Sequence, residues 1–163
     1  MASNFEYSVS YPFGTAALWQ LYVTEQYWHD LIERTNAEHG SVESFTHDGN
    51  KVTITTKQGV GAEELPSVVT AMYPDGVQIP RTIDFVLVGD QIIGQMAASV
   101  TGAAAKIHGD VMIMGDPATA SYDGNCAVSI PLVGGKIEKA ILDQLVHLLE
   151  AERAATVEIT ERS

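Results

Sequence analysis

Ser129-Ile130-Pro131-Leu132-Val133-Gly134-Gly135-Lys136-Ile137-Glu138-Lys139, running on to Arg162 with no further proline or glycine, is the stretch that decides the fold. Pro131 has no backbone donor and ends whatever strand precedes it, and Gly134-Gly135 lets the chain change direction before a helix starts. Beyond that corner the spacing predicts one long helix. At about 100° per residue, Ile137, Ile141, Leu142, Leu145, Leu148, Leu149 and Ile159 fall on one arc roughly 140° wide, opposite Lys139, Asp143, His147, Glu150 and Glu158. That is the stripe of a helix laid against a core. Lys136 and Lys139 near its start and Glu158 and Glu161 near its end oppose the helix macrodipole, so burial must hold it. Lys139 with Asp143, and Glu158 with Arg162, are spaced for modest pairs along its surface.

What this helix covers is read from the chain before it. Phe5, Tyr7, Val9 and Tyr11 alternate with polar neighbours as in a half-buried strand, closed by Pro12 and Gly14. Thr15 to Val23 and Glu25 to Thr35 read as two short helices, with Thr24 as N-cap of the second. Val42 to His47 and Val52 to Thr55 flank Asp48-Gly49-Asn50, a hairpin signal. Between Gly59 and Gly76, Leu65, Val68, Val69 and Met72 form the small apolar face of an inserted helix, stopped by Pro74. Gln78 to Val88 and Gln91 to Val100 read as a second hairpin. Ala104 to Met114 and Thr119 to Ile130 follow as extended runs, the last as one strand with a glycine bulge at Asp123-Gly124-Asn125. The order predicts a single α+β domain over residues 1–163: a strand, two helices, about six antiparallel strands and one long helix covering the sheet's apolar face.

Composition narrows the function. The chain has 163 residues, 45% of them hydrophobic, and 21 acidic against 9 basic residues leave a net charge of -12. With no cluster of lysine or arginine, a nucleic-acid backbone or an anionic membrane repels it, so no nucleic-acid partner is expected. No basic leader with an apolar run opens it and no 18 apolar residues are consecutive, which predicts a cytoplasmic protein without stable membrane insertion. A single cysteine, Cys126, excludes an intramolecular disulfide and a thiolate cluster, and reads as a small buried apolar residue.

The element order resembles the helix-grip fold of the START-like and birch-pollen-allergen-like (SRPBCC) superfamily. Within it, Phe5-Glu6-Tyr7, Glu25-Gln26-Tyr27-Trp28, Pro80-Arg81-Thr82 and the stretch from Ser129 to Glu138 resemble an actinobacterial family of unknown function. The resemblance covers essentially the whole chain. It implies a curved sheet of about seven strands wrapped around the terminal helix, enclosing a cavity for a hydrophobic ligand, and it implies no catalytic residue.

No local motif supplies a cofactor. Around Gly134-Gly135-Lys136, Ile130 and Ile137 stand where a phosphate-binding loop needs glycine and Ser/Thr, and Glu64 stands where Gly59-Val60-Gly61 needs a third glycine for a dinucleotide. His29 and Glu33 share a helix face but lack a third metal ligand. Taking the apolar face of each strand, the cavity wall comprises Tyr7, Val9, Phe85, Met96, Ile107, Val111 and Val128, with Ile141, Leu145 and Leu148 on the helix; every one would serve equally as core. Small and adaptable residues (Gly94, Met96, Ala97, Ala98, Gly109, Met112) favour a void, and the helix around Val68 to Met72 is a candidate lid. Glu152 departs from the pattern. It falls within the apolar arc of the last helix, where a carboxylate must find a partner or take up a proton with a raised pKa, or else emerge beside Arg153's neighbours.

Three functions fit: a carrier or binder of a lipid- or polyketide-like molecule, a polyketide cyclase or aromatase using Glu152, Tyr7 and His108, and a ligand-free interaction module or homodimer.

Overall fold

In a computed structural model the residues described are 2–65, 67–101, 104–129, 132 and 134–161. The strands are β1 (Ala2–Ser10), β2 (Ser41–Asp48), β3 (Lys51–Val60), β4 (Val77–Val88), β5 (Gln91–Ser99), β6 (Ala105–Met114) and β7 (Thr119–Val128). The helices are α1 (Thr15–Tyr22), α2 (Glu25–Asn36), α3 (Ser67–Met72) and α4 (Gly134–Glu161), with a single 3₁₀ turn at Ala62–Glu64. The strands form one antiparallel sheet in the order β1-β7-β6-β5-β4-β3-β2, so each pairs with its chain neighbour except β1, which closes against β7. This is the helix-grip arrangement.

The sheet's inward phase carries Val52 and Ile54 on β3, Ile83 and Phe85 on β4, Ile92 and Met96 on β5, and Ile107, Val111 and Ile113 on β6, all buried. Its outward phase is acidic. Glu6, Asp123, Asp110, Gln95 and Asp84 are successive direct partners across five strands, so four carboxylates lie in one row where like charges repel. Beside that row, Ile93 and Met112 face each other and are 40% exposed apiece. Met112 and Ala97 therefore leave no space inside, unlike Met96 and Ala98.

α4 lies across β1 and β7 and is tied to β1 along its length. The Ser3 hydroxyl donates to Glu138, the Tyr7 hydroxyl to Glu150, and Arg153 Nε to the carbonyl of Ser10. The spacings match: seven strand residues at about 3.3 Å each and fifteen helix residues at about 1.5 Å each both span about 23 Å. Over that span β1 and α4 run side by side in the same direction.

Four local details differ from the sequence reading. β7 pairs without interruption with β1 and β6 through Gly124, so there is no bulge. Gly124 is there because a Cβ would lie 2.2 Å from the His108 carbonyl and 2.8 Å from Phe5. The irregular register falls instead in β2, between Val42 and Ser44. Thr24 occupies the N-cap position of α2 without capping it; its hydroxyl donates 2.8 Å to the Gln20 carbonyl, because only Val23 and Thr24 separate the helices and the end of α1 is within reach. At the corner before α4, Gly134 and Gly135 are already helical, and Leu132 takes the left-handed conformation, with φ of 72°. Gly134 is required by contact, since a Cβ there would meet the Val128 carbonyl at 2.8 Å. Pro131 as strand terminator lies outside the described residues, as does Arg162 as partner of Glu158; Glu158 accepts from Arg34 of α2 at 3.5 Å.

Candidate ligand cavity

α4 is drawn to the β1–β7 side, and α1 and α2 cover only part of the other half of the inward sheet face, where Tyr22 and Trp28 stack on Phe85. A cavity of about 260 Å³ remains there. Val77 and Ile79 of β4, Met96 and Ala98 of β5 and Ile107 of β6 form its sheet wall, and Ile137, Ile141, Leu145 and Leu148 of α4 its roof. Val128 of β7 closes the side toward β1. Glu64 and His147, both exposed, mark where the cavity meets solvent. A larger concavity, about 830 Å³, lies on the outer face among Glu6, Asp84, His108, Asp110 and Asp123. It is an open polar trough, so the more recessed, mainly apolar cavity under α4 is the better binding site.

The far end of α2 is part of this cavity, and one side chain puts it there. β2 pairs with β3 only as far as Lys57, which leaves the edge of β3 bare beyond it. Asn36 covers that edge: its amide nitrogen donates to the Gly59 carbonyl and its amide oxygen accepts from the Gly59 N–H, both at 3.0 Å. The side chain completes the ladder as a strand residue would. A Cβ at Gly59 would strike His39 at 2.5 Å, so the close approach requires glycine.

The segment between β3 and β4 reaches the cavity through Glu64 and Leu65 at the 3₁₀ turn. Gln144 of α4 donates 3.5 Å to the Glu64 carbonyl, tying that turn to the roof. Met72 points to solvent, 43% exposed, and the side chains of Val68 and Val69 lie outside the described residues.

At its inner end the cavity wall turns polar. Thr56, Gln58 and Arg81 all occupy the inward phase of the sheet and are buried. Arg81 meets Glu152 of α4 in a two-pronged pair, Nη1 to Oε2 at 3.1 Å and Nη2 to Oε1 at 3.3 Å. Of the outcomes that burial left open for Glu152, the structure supplies the partner, and it is Arg81 rather than the neighbours of Arg153. Arg81 Nη1 also donates to Gln58 Oε1 at 3.3 Å.

Behind this pair is an aromatic nest. Tyr22 stacks on Phe85 with ring centroids 4.5 Å apart, and Trp28 stands edge-on to Tyr27. The Tyr27 and Thr156 hydroxyls are 2.7 Å apart. Burial holds the Tyr11, Tyr22, Tyr27 and Tyr122 hydroxyls well above the ordinary tyrosine range, so they act as neutral donors and acceptors. A void of about 30 Å³ among them is bounded by Phe85, Val111, Arg81 and Glu152. That is room for about one water.

The residues expected at the wall are thus divided. Met96, Ile107, Val128, Ile141, Leu145 and Leu148 line the larger cavity, while Phe85, Val111 and Glu152 border the small aromatic void. Tyr7 and Val9 line neither: Tyr7 is spent on Glu150 and Val9 is buried in the core of the β1 side. His108 is exposed on the outer face. The three groups expected of a cyclase, Glu152, Tyr7 and His108, are therefore not brought together. His29 bonds Glu25 at 3.1 Å on the exposed face of α2. Burial pushes the Cys126 thiol up to about 11, leaving it an unreactive core residue.

Sequence reasoning missed Arg81, Gln58 and Glu138 as interior residues. All were readable: Arg81 is in phase with Ile83 and Phe85, Gln58 with Ile54, and Glu138 falls on the same apolar arc as Glu152. Glu138 is 3% exposed and accepts from the Ser3 hydroxyl at 2.6 Å and the Val128 N–H at 2.9 Å. Those bonds, the hydroxyl first, hold its pKa below the ordinary value. A depressed carboxylate adds stability above the unfolded pKa and loses it as pH falls through the folded one. Glu138→Gln is accordingly expected to melt below the native chain at pH 7, with the gap closing below about pH 4. Thermal melts at both pH values check this; a constant gap would assign the effect to packing instead.

Among the described residues no helix is long and apolar enough to cross a membrane. The fold is shared with solved structures of very different sequence. A START superfamily protein from Mycobacterium smegmatis superposes with a TM-score of 0.56 at 12% identity, covering 96% of this chain and 98% of that one. The Zhui aromatase/cyclase from Streptomyces sp. R1128 superposes with a TM-score of 0.60 at 9% identity, over 99% and 95%. At such identities the likeness establishes the fold alone. In sequence, the uncharacterized protein Rv0481c of Mycobacterium tuberculosis is 23% identical over 166 residues, covering 96% of this chain and 95% of its own. The family model described as "Protein of unknown function (DUF2505)" matches residues 6–159, nearly the whole domain from the middle of β1 to the end of α4, and the chain belongs to that family.

Proposed function

We propose that this protein binds or carries a small hydrophobic or amphipathic molecule in the cavity beneath α4. The observation that carries the reading is a cavity of about 260 Å³, walled on the sheet and roofed by α4 with aliphatic side chains. A void of that size lined by apolar groups loses dispersion contacts on every side, and a ligand restores them. At about 30 Å³ per water-sized group it accommodates roughly nine such groups, which suits a medium-length chain or one substituted ring system. The START-like fold, which buries its ligands between sheet and terminal helix by resemblance, supports the same reading. The scattering of Glu152, Tyr7 and His108 disfavours the cyclase alternative.

Native mass spectrometry of the purified protein, compared with its denatured mass, tests the proposal. A co-purifying apolar molecule, or saturable binding of the neutral fluorophore N-phenyl-1-naphthylamine, is expected. Apo protein that binds no such probe would overturn it and favour the interaction-module reading.

A further inference from the structure

The residues at the inner end of the cavity carry two unpaired donors. Among the described residues, Gln58 Nε2 and Arg81 Nε are the buried side-chain nitrogen or oxygen atoms without a hydrogen-bond partner. Both belong to residues that line the cavity. Gln58 Oε1 is already taken by Arg81, and both oxygens of Glu152 are taken by the guanidinium. A buried donor left unmade costs more than a typical hydrogen bond gains, so two of them on residues that line one cavity call for an explanation. Charge sharpens the requirement. Glu152 already neutralises Arg81, and a second carboxylate in the cavity would stand beside the first.

Resting on the reading that this cavity takes an apolar ligand, we infer that its inner end recognises a neutral carbonyl oxygen: a ketone, ester or amide on an otherwise aliphatic or aromatic body. The oxygen accepts from Gln58 Nε2 and Arg81 Nε, and the apolar remainder lies between Ile79, Ala98, Ile141 and Leu148. Arg81 here is a binding residue held in place by Glu152, not an ion partner for the ligand.

The test uses three matched nine-carbon probes on the intact chain: n-nonane, nonan-2-one and nonanoate, each displacing N-phenyl-1-naphthylamine. In a purely apolar cavity the alkane wins, because a buried carbonyl without a partner loses its hydration. The expected order is the reverse, with nonan-2-one at least about tenfold tighter than both nonane and nonanoate, the scale of two donors being satisfied. Gln58→Met, which removes the amide but keeps the Arg81–Glu152 pair, should shrink the preference for the ketone over nonane. In the unmodified chain, the Arg81 Nε–H proton–nitrogen resonance should shift with nonan-2-one and not with nonane. Equal or tighter binding of nonane would overturn the inference while leaving the cavity a binding site, and would mean that water satisfies the donors. Tightest binding by nonanoate would overturn it in favour of ion pairing. If the fluorophore and all three probes fail to bind, the functional reading itself falls.

Discussion

Arg81→Met is expected to lower the stability of the domain by about 3–5 kcal/mol, the cost of stranding one member of a buried ion pair. The side chains of Arg81 and Glu152 are 8% and 12% exposed, so little water is on hand to take over the lost partner. Methionine occupies nearly the arginine stem's volume but leaves Glu152 without its two donors and Gln58 Oε1 without one of its own. Against a total stability of roughly 5–15 kcal/mol for a domain of this kind, that is a large fraction. The double variant Arg81→Met/Glu152→Leu should recover most of the loss, because a buried pair replaced by apolar residues of similar volume is close to neutral. Chemical denaturation of native, single and double variants measures both effects. A single variant as stable as the native chain would mean that the pair is open to water in solution.

Ala98→Phe is expected to abolish detectable binding of apolar probes, or weaken it at least tenfold, without destabilising the fold. Ala98 sits in the cavity wall, directly across the ladders from Arg81 and Ile107. A phenyl ring there projects into empty space and makes contacts that the void forgoes, a change that commonly adds about 0.5–2 kcal/mol. Were the interior already filled, the same ring would overpack it at a cost of about 1–3 kcal/mol. The sign of the stability change therefore separates a binding cavity from an ordinary core before any ligand is known. Thermal melting with probe titration on the same variant reads both; a destabilised variant that still binds the probe would refute the cavity's placement.

What the sequence by itself determined is the succession of elements and the face each presents. Period-two alternation set the inward phase of β1, β3, β4, β5 and β6, and the apolar arc from Ile137 to Ile159 set the buried side of α4, because local periodicity is a property of neighbouring residues alone. Glu152 stood out for the same reason, as a carboxylate on that arc. Its partner did not, since Arg81 lies 71 residues away and only the closure of β4 beneath α4 brings the two together. Where the void falls was likewise decided by tertiary structure. Alternation places Tyr7 and Val9 on the same face as Met96 and Ile107, but it carries no information on how far across the sheet the helix lies. The bonds from Ser3, Tyr7 and Ser10 to α4 fix that displacement. They draw the helix toward β1, fill that half of the face with core, and leave part of the β3–β6 half open beside residues that carry two unpaired donors.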